Sequence, residues 1–445
     1  MSGVLKYPVL TGIRRMFLLV SPNETSFEKL EDVPNYVDEA VPFFISLVLL
    51  EWAVLYRQGK KPRLNDALGS LSNGLLSLLH GLLFRSTELA GFLWAYTHFN
   101  VITLPWDKPA TWVLALLGVD FAYYWVHRFG HEVNFMWAGH QLHHNSEDYN
   151  LTTALRQSIM HRYSNWVFYL PMALFIPPSM FLVHTQFNLI YQFWVHTETI
   201  GKLGPLEWIL STPSHHRVHH GRNPYCIDKN YGGIFIIWDR MFGTFEAERE
   251  DEKVVYGLVH NINTWEPLQA QLHHLIYIMK TAWQMEGLSN KISVMLKGPG
   301  WSPGKPRLGL NSDIPQIEPN PVKYDIDVGV LRTAYIWAHY LIILLVWHPM
   351  LAKLRHEMSS VMMAGNIVYI VYSLFVFGSL YDKKWYADYA EMVRVWLFVV
   401  IWISGIPLPV SESVCWFYAT CAVVWTLGVA MATVSNSDTV NKKQK

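Results

Sequence analysis

The chain has 445 residues, is 51% hydrophobic and only 16% charged, and carries 35 basic against 35 acidic side chains. A zero net charge leaves no basic field to recruit nucleic acid, and a mean hydropathy of +0.15 suits a polytopic membrane protein better than a string of soluble domains. The three cysteines, Cys226, Cys415 and Cys421, supply neither a disulfide framework nor a Cys-x-x-Cys motif that would compete for metal.

Residues 1–40 are polar, with an acidic run from Glu28 to Glu39, and Met16-Phe-Leu-Leu-Val20 is too short for the core of a secretory signal. The first long apolar segment, 41–56, is followed by Arg57, Lys60, Lys61 and Arg63, which places the N-terminus in the lumen and this loop in the cytosol. Glu51 lies within that segment and is expected to face the bundle, because a lipid-facing carboxylate is costly. Stretches 66–84 and 87–105 are weaker, broken by Asp66, Asn73 and Glu88. Trp112 to Trp125 forms a good crossing that runs directly into the first histidines.

Twelve of the twenty histidines fall between His127 and His220, and eight of these form three clusters: His127-Arg-Phe-Gly-His131, His140-Gln-Leu-His143-His144 and His216-Arg-Val-His219-His220. Residues three and four apart share a helix face, so each cluster is expected to aim its imidazoles at one point. A lone histidine on an apolar face, such as His80, His98 or His339, reads as a core residue. Three clusters of repeated spacing, separated by apolar stretches, read instead as ligands. Eight are too many for one ion and about right for two. Asp120, about two turns before His127, either orients a ligand histidine or serves helix packing.

Residues 165–197, interrupted by Pro171, Pro177 and Pro178, read as a helical hairpin that enters the membrane and returns. That leaves the second and third clusters on one side. His196, at its end, stands as either a ninth ligand or a core histidine. Residues 221–326 are the most soluble-looking part and include the turn-rich Gly298-Pro-Gly-Trp-Ser-Pro-Gly-Lys-Pro-Arg307. Four apolar segments follow, near 330–347, 361–380, 393–410 and 414–433, and return the chain to its starting side. The C-terminal Lys442-Lys443-Gln444-Lys445 reads as a dilysine retrieval signal, or as an ordinary basic tail. Of two sequons, Asn23-Glu-Thr25 is expected to be lumenal and Asn150-Leu-Thr152 cytosolic and bare.

The expected fold is all-α, a polytopic membrane bundle with a cytosolic histidine-rich helical cap. It divides into a polar segment (1–40), a membrane core with the histidine clusters (41–245), a cytosolic segment (246–326), C-terminal transmembrane helices (327–434) and a cytosolic tail (435–445). An all-nitrogen donor set excludes calcium and magnesium, which want oxygen, and favours iron, copper or zinc. Inside a greasy bundle, two irons that activate O2 have a clear use, since alkyl C–H bonds resist every side-chain nucleophile. A metal transporter would string histidines or charges along several crossings, and the C-terminal ones carry almost none.

The histidine order, together with Asp120-Phe-Ala-Tyr-Tyr-Trp-Val-His127-Arg128, Asn230-Tyr-Gly-Gly and Trp238-Asp-Arg-Met-Phe-Gly-Thr244, resembles the membrane fatty acid hydroxylase/sterol desaturase superfamily over about 110–245. The resemblance implies a four-helix membrane core, the endoplasmic reticulum, O2 as co-substrate and two metals. It makes His127, His131, His140, His143, His144, His216, His219 and His220 catalytic metal ligands and adds His196 to the metal set. Gln192 stands where relatives often have a further histidine, and His215 is a possible extra ligand or hydrogen-bond donor. The runs Glu132-Val-Asn-Phe-Met-Trp-Ala-Gly-His140 and Ser214-His-His-Arg-Val-His-His-Gly-Arg-Asn223, with Lys297-Gly-Pro-Gly-Trp301 and Gly304-Lys-Pro-Arg-Leu-Gly309, are most similar to its ether-lipid-cleaving members. That narrower likeness implies tetrahydrobiopterin as reductant and 1-O-alkylglycerols or lyso-alkylglycerophospholipids as substrates. Hydroxylation at the ether carbon would give a hemiacetal that collapses to fatty aldehyde and glycerol. The rival within the superfamily is a cytochrome b5-dependent sterol desaturase or sphingolipid or fatty acid hydroxylase. Glu132 points some 100° away from His131 and is a candidate for the pterin's guanidine-like edge. Asp239 is a candidate for orienting a ligand histidine.

Overall fold

The computed structural model describes residues 8–83 and 87–443, and these are helical with only isolated β-bridges, such as Leu210 with Phe235. Two compact units form. The first takes the chain up to Ser77, on through Ile262, and then Gln271–Lys323; the second takes Leu78–Leu83, Asn263–Ala270 and the chain from Tyr324 onward.

Among the described residues five helices are long and apolar enough to cross a membrane: Leu30–Arg57, Pro109–Glu132, Val330–Leu354, Ser360–Tyr381 and Glu412–Met431. The third of the four segments expected near the C-terminus, 393–410, forms Ala387–Ile403, 17 residues long. At about 1.5 Å per residue that is about 25 Å, short of a typical hydrocarbon core. The stretch 165–197 is interrupted where its prolines stand: Trp166–Leu174 is a 3-10 helix, and Pro178 opens the helix Pro178–Trp194. Lys442 and Lys443 close the last helix, but the side chains and final residues that make up the dilysine motif lie outside the described residues.

In the first unit Glu51 faces inward, as its cost in lipid requires. It is 4% exposed and accepts from Thr197 Oγ1 at 2.5 Å and Leu151 N at 2.8 Å. The helix Asn134–His144 follows the span Pro109–Glu132 after a single extended residue, Val133. The first two histidine clusters therefore meet at one corner. The third lies on the short helix Pro213–His220, where Pro213 at the first helical position has its missing N–H among the donors that have no partner anyway.

The second unit corrects the expectation that the C-terminal helices carry almost no ionisable groups. Arg394 and Glu391 are fully buried and form a bidentate pair at 2.6 Å, and Arg394 also donates to His339 Nδ1 at 3.0 Å. Tyr335 donates to the same glutamate. Burying two charges is repaid only when each keeps its partner. Arg394→Met is therefore expected to destabilise the protein by about 3–5 kcal/mol in thermal unfolding, because it strands Glu391. A Glu391→Leu/Arg394→Met double variant should recover most of that loss. If the double variant melts as low as the single one, the pair is not what holds this unit.

Candidate metal centre

The structure brings all nine singled-out histidines together, in two groups. His127, His131, His140, His144 and His219 form one, and His143, His196, His216 and His220 the other; within each, one ring nitrogen per residue lies within 4.8 Å of the others. All nine are buried, the most exposed at 9%.

The grouping corrects one expectation. Only the first cluster aims at a single point. His140 and His144 share a group while His143 joins the other, and His216 and His220 share a group while His219 joins the first. A helix turns about 100° per residue, so a step of four leaves a side chain about 40° round, whereas a step of three carries it about 60° the opposite way. Only the four-step pairs stay together. The second and third clusters thus contribute to both groups, and the first, His127 with His131, to one.

Backbone carbonyls set the ring orientation. His127 Nδ1 meets Tyr231 O at 2.8 Å, His219 Nδ1 meets Lys229 O at 2.9 Å, His143 Nδ1 meets Arg156 O at 3.2 Å and His196 Nδ1 meets Gln192 O at 2.7 Å. A carbonyl only accepts, so each of these Nδ1 atoms carries the proton and each Nε2 presents a lone pair. Yet His143 Nε2 and His196 Nε2 stand 3.1 Å apart, and His216 Nε2 is 3.0 Å from His196 Nε2. In the other group His140 Nε2 lies 3.1 Å from His127 Nε2 and 3.2 Å from His144 Nε2. The Nε2 atoms of His131, His219 and His220 are buried without any hydrogen-bond partner.

Lone pairs facing one another at this distance repel unless a cation lies between them. A proton is a poor choice. Burial, reinforced by repulsion from neighbouring rings, pushes His140, His143, His144, His216, His219 and His220 well below their ordinary range. A metal ion fits better. Two nitrogens at about 2.1 Å from one ion and at right angles are about 3.0 Å apart, which matches the observed spacing. The donor set suits iron, and the neutral rings need no deprotonation to bind it.

The other singled-out residues lie as follows. Asp120 meets no histidine. It accepts from Asn188 Nδ2 at 2.8 Å, Ile234 N at 2.7 Å, Phe235 N at 3.0 Å and Trp238 Nε1 at 2.9 Å. It therefore anchors the loop after the third cluster. Asp239 acts at one remove. It accepts from Tyr231 N at 2.8 Å and Gly232 N at 2.7 Å, which fixes the peptide whose carbonyl holds His127. Gly233 has no room for a side chain, since a Cβ would lie 2.8 Å from the Tyr123 ring and 2.9 Å from Asp120. His215 turns away to pack edge-on against Phe245, and burial pushes its imidazole down to about 4. Gln192 donates to Asn188 rather than joining either group. Glu132 is occupied on both oxygens, by Arg128 at 2.8 Å and Arg307 at 2.9 Å.

Several neighbours were not anticipated. Trp137 packs on His131 and His144, Tyr149 on His196 and His220, and Tyr231 on His127 and His131, so aromatic faces wall both groups. His161 stands 5.2 Å from His140, ring to ring, and the Asp228 carboxylate is 3.7 Å from His131 Nδ1. Trp137, Tyr149 and Tyr231 sit inside or beside the quoted motifs, but His161 and Asp228 carry no pattern that marks them.

Residues 112–244, which hold this whole constellation, match the fatty acid hydroxylase family, the class of membrane enzymes to which such a site corresponds. Residues 332–418 match the alkylglycerol monooxygenase C-terminal domain. The chain is 52% identical to the alkylglycerol monooxygenase of Xenopus tropicalis, over 90% of its own length and 89% of that protein's. It is also 52% identical to that of Homo sapiens, over 91% of each, and 46% identical to that of Danio rerio, over 98% of each. The chain belongs to the alkylglycerol monooxygenase family. No solved structure matches it.

Proposed function

We propose that this multi-span membrane protein is a glyceryl-ether monooxygenase that hydroxylates the ether carbon of 1-O-alkylglycerol lipids. The observation that carries the reading is the similarity to alkylglycerol monooxygenases along nine-tenths of the chain, the C-terminal helices included. One oxygen atom of O2 enters the C–H bond beside the ether oxygen. The other leaves as water, with two electrons from tetrahydrobiopterin. The hemiacetal then breaks its C–O bond unaided, giving fatty aldehyde and free glycerol.

The nine histidines would hold two irons, and that metal pair supplies the O2 activation and C–H cleavage that no side chain can. The protein's own part is orientation and exclusion. Carbonyls of Tyr231, Lys229, Arg156 and Gln192 lock four rings with Nε2 inward, and Trp137, Tyr149 and Tyr231 keep bulk water from both groups. Glu132 would receive the pterin's guanidine-like edge only after releasing Arg307, whose side chain is 45% exposed and the more easily displaced of its two partners.

Membranes containing the protein, given an alkylglycerol with and without tetrahydrobiopterin, are expected to release fatty aldehyde only with the pterin. Equal release in biopterin-depleted membranes, or release driven by cytochrome b5, would overturn the cofactor assignment. We further place the protein in the endoplasmic reticulum with its histidine end toward the cytosol. Glycan is then expected at the exposed Asn23, read as a mobility shift lost in Asn23→Gln. Asn150 is buried, with its side chain capping Thr152, and is expected to stay bare.

A further inference from the structure

The helices Pro267–Gln284 and Leu288–Leu296 lie in the part of the sequence that looks soluble, and neither is among those able to cross a membrane. Their inner faces are accounted for. Ile278 and Val294 are buried against Ala138 of the second-cluster helix, with Leu275, Ala282 and Met285 around them. Their outer faces are not what a water-facing surface requires. Leu272, Ile276, Met279 and Trp283 recur at steps of four, three and four, one stripe along the first helix, and Trp283 is 84% exposed. Leu288, Ile292, Met295 and Leu296 repeat the stripe on the second helix, with Leu288 73% exposed.

Two further observations say what covers these stripes. The first is charge. From Pro267 to Lys297 the basic residues are Lys280, Lys291 and Lys297 against the single acid Glu286. Lys291 Nζ sits 5.8 Å from the centre of the exposed Trp283 ring. Lysine beside tryptophan is the pairing that anchors helices at a headgroup layer: the ring enters the acyl boundary and the ammonium reaches phosphate. The second is level. Asn134, two residues past the end of the span Pro109–Glu132, pins the pair. Its backbone N–H donates to Lys297 O at 2.8 Å, its Nδ2 to Val294 O at 2.8 Å, and its Oδ1 meets His274 Nε2 at 2.6 Å. A helix pair tied to the mouth of a membrane span lies at the depth where that span leaves the hydrocarbon.

We propose that these two helices form an interfacial element, with both stripes seated in the headgroup and upper acyl layer of the bilayer that the chain itself spans. The proposal concerns the surface alone and stands whether or not the histidines bind metal. A stripe of eight large apolar side chains left in water would also be an aggregation liability, which a lipid surface removes.

The test uses the full chain in phosphatidylcholine nanodiscs. An environment-sensitive fluorophore is attached to a cysteine replacing Met279, Leu288 or Ile292 in a Cys421→Ser background, with the same label at the exposed Glu318 as a solvent reference. Quenching by a lipid carrying a shallow spin label is expected to be at least about threefold stronger at the three helix positions than at 318, and quenching by iodide at least about threefold weaker. Labels at 279, 288 and 292 that iodide reaches as freely as the one at 318 would overturn the proposal. Labels shielded from both quenchers would overturn it too, because a protein surface or a second copy of the chain would then cover the stripes. All three replacements are at exposed positions, and an unchanged melting temperature verifies that each variant is folded.

Discussion

His143→Ala and His219→Ala, one from each histidine group, are each expected to cut fatty aldehyde formation by more than about 100-fold, since losing even an outer partner of a metal ligand costs 10–100-fold. The same pair separates ligands from ordinary core histidines. In the four-membered group the protons of His143 and His196 are committed to Arg156 O and Gln192 O, so their Nε2 lone pairs face each other at 3.1 Å and repel unless a cation draws both. Stripping metal from the wild type should therefore lower its melting temperature, because the folded state keeps the repulsion and loses the cation that offset it. His143→Ala removes one of the opposed lone pairs and should respond less to chelator. A hydrogen-bonded core histidine would behave the other way: the variant would be destabilised with or without chelator, and the wild type would ignore it.

Asp120→Ala should be the most damaging change outside the histidines. The carboxylate is fully buried and takes four hydrogen bonds, three of them from Ile234 N, Phe235 N and the Trp238 indole. Those donors belong to a tight turn and a bulky ring and cannot rotate to a new acceptor. At about 1–3 kcal/mol for each of the three stranded buried donors, a loss of roughly 3–9 kcal/mol is expected in thermal unfolding. The loop it anchors also carries Tyr231, whose carbonyl orients His127, so metal content should fall with stability. Asp120→Asn should do little better, since its amide would turn a donor toward donors. A variant that melts like the wild type and keeps its metal would remove Asp120 from the framework of the site.

Much of the site could be read in the sequence because the histidines are local patterns. Spacing of three and four residues on an apolar background marked eight of the nine positions that the structure gathers; His196, alone at the end of its apolar stretch, stood open between ligand and core residue until the resemblance added it. The sequence did not disclose the division between the two groups. Steps of three and four both count as one face to a first approximation, and only the packed helices decide which way His143 and His219 lean. Asp120 stood open between orienting a histidine and packing a helix for a related reason. Three of its four donors, Ile234 N, Phe235 N and the Trp238 indole, stand more than a hundred residues ahead, and no periodicity links them to it. Glu132 was placed correctly as facing away from His131, but its engagement by Arg307 depends on a turn-rich segment whose path the sequence leaves open. The buried trio of Glu391, Arg394 and His339 was invisible as a cluster. Its members lie on separate helices or a turn apart, and each alone reads as an isolated polar interruption.

The most direct measurement is the number of iron atoms per chain in purified, reconstituted protein that converts an alkylglycerol to fatty aldehyde. Two per chain, falling toward one in His143→Ala, is the expected result. Full activity in protein holding fewer than one iron per chain would contradict the two-centre reading of these histidines.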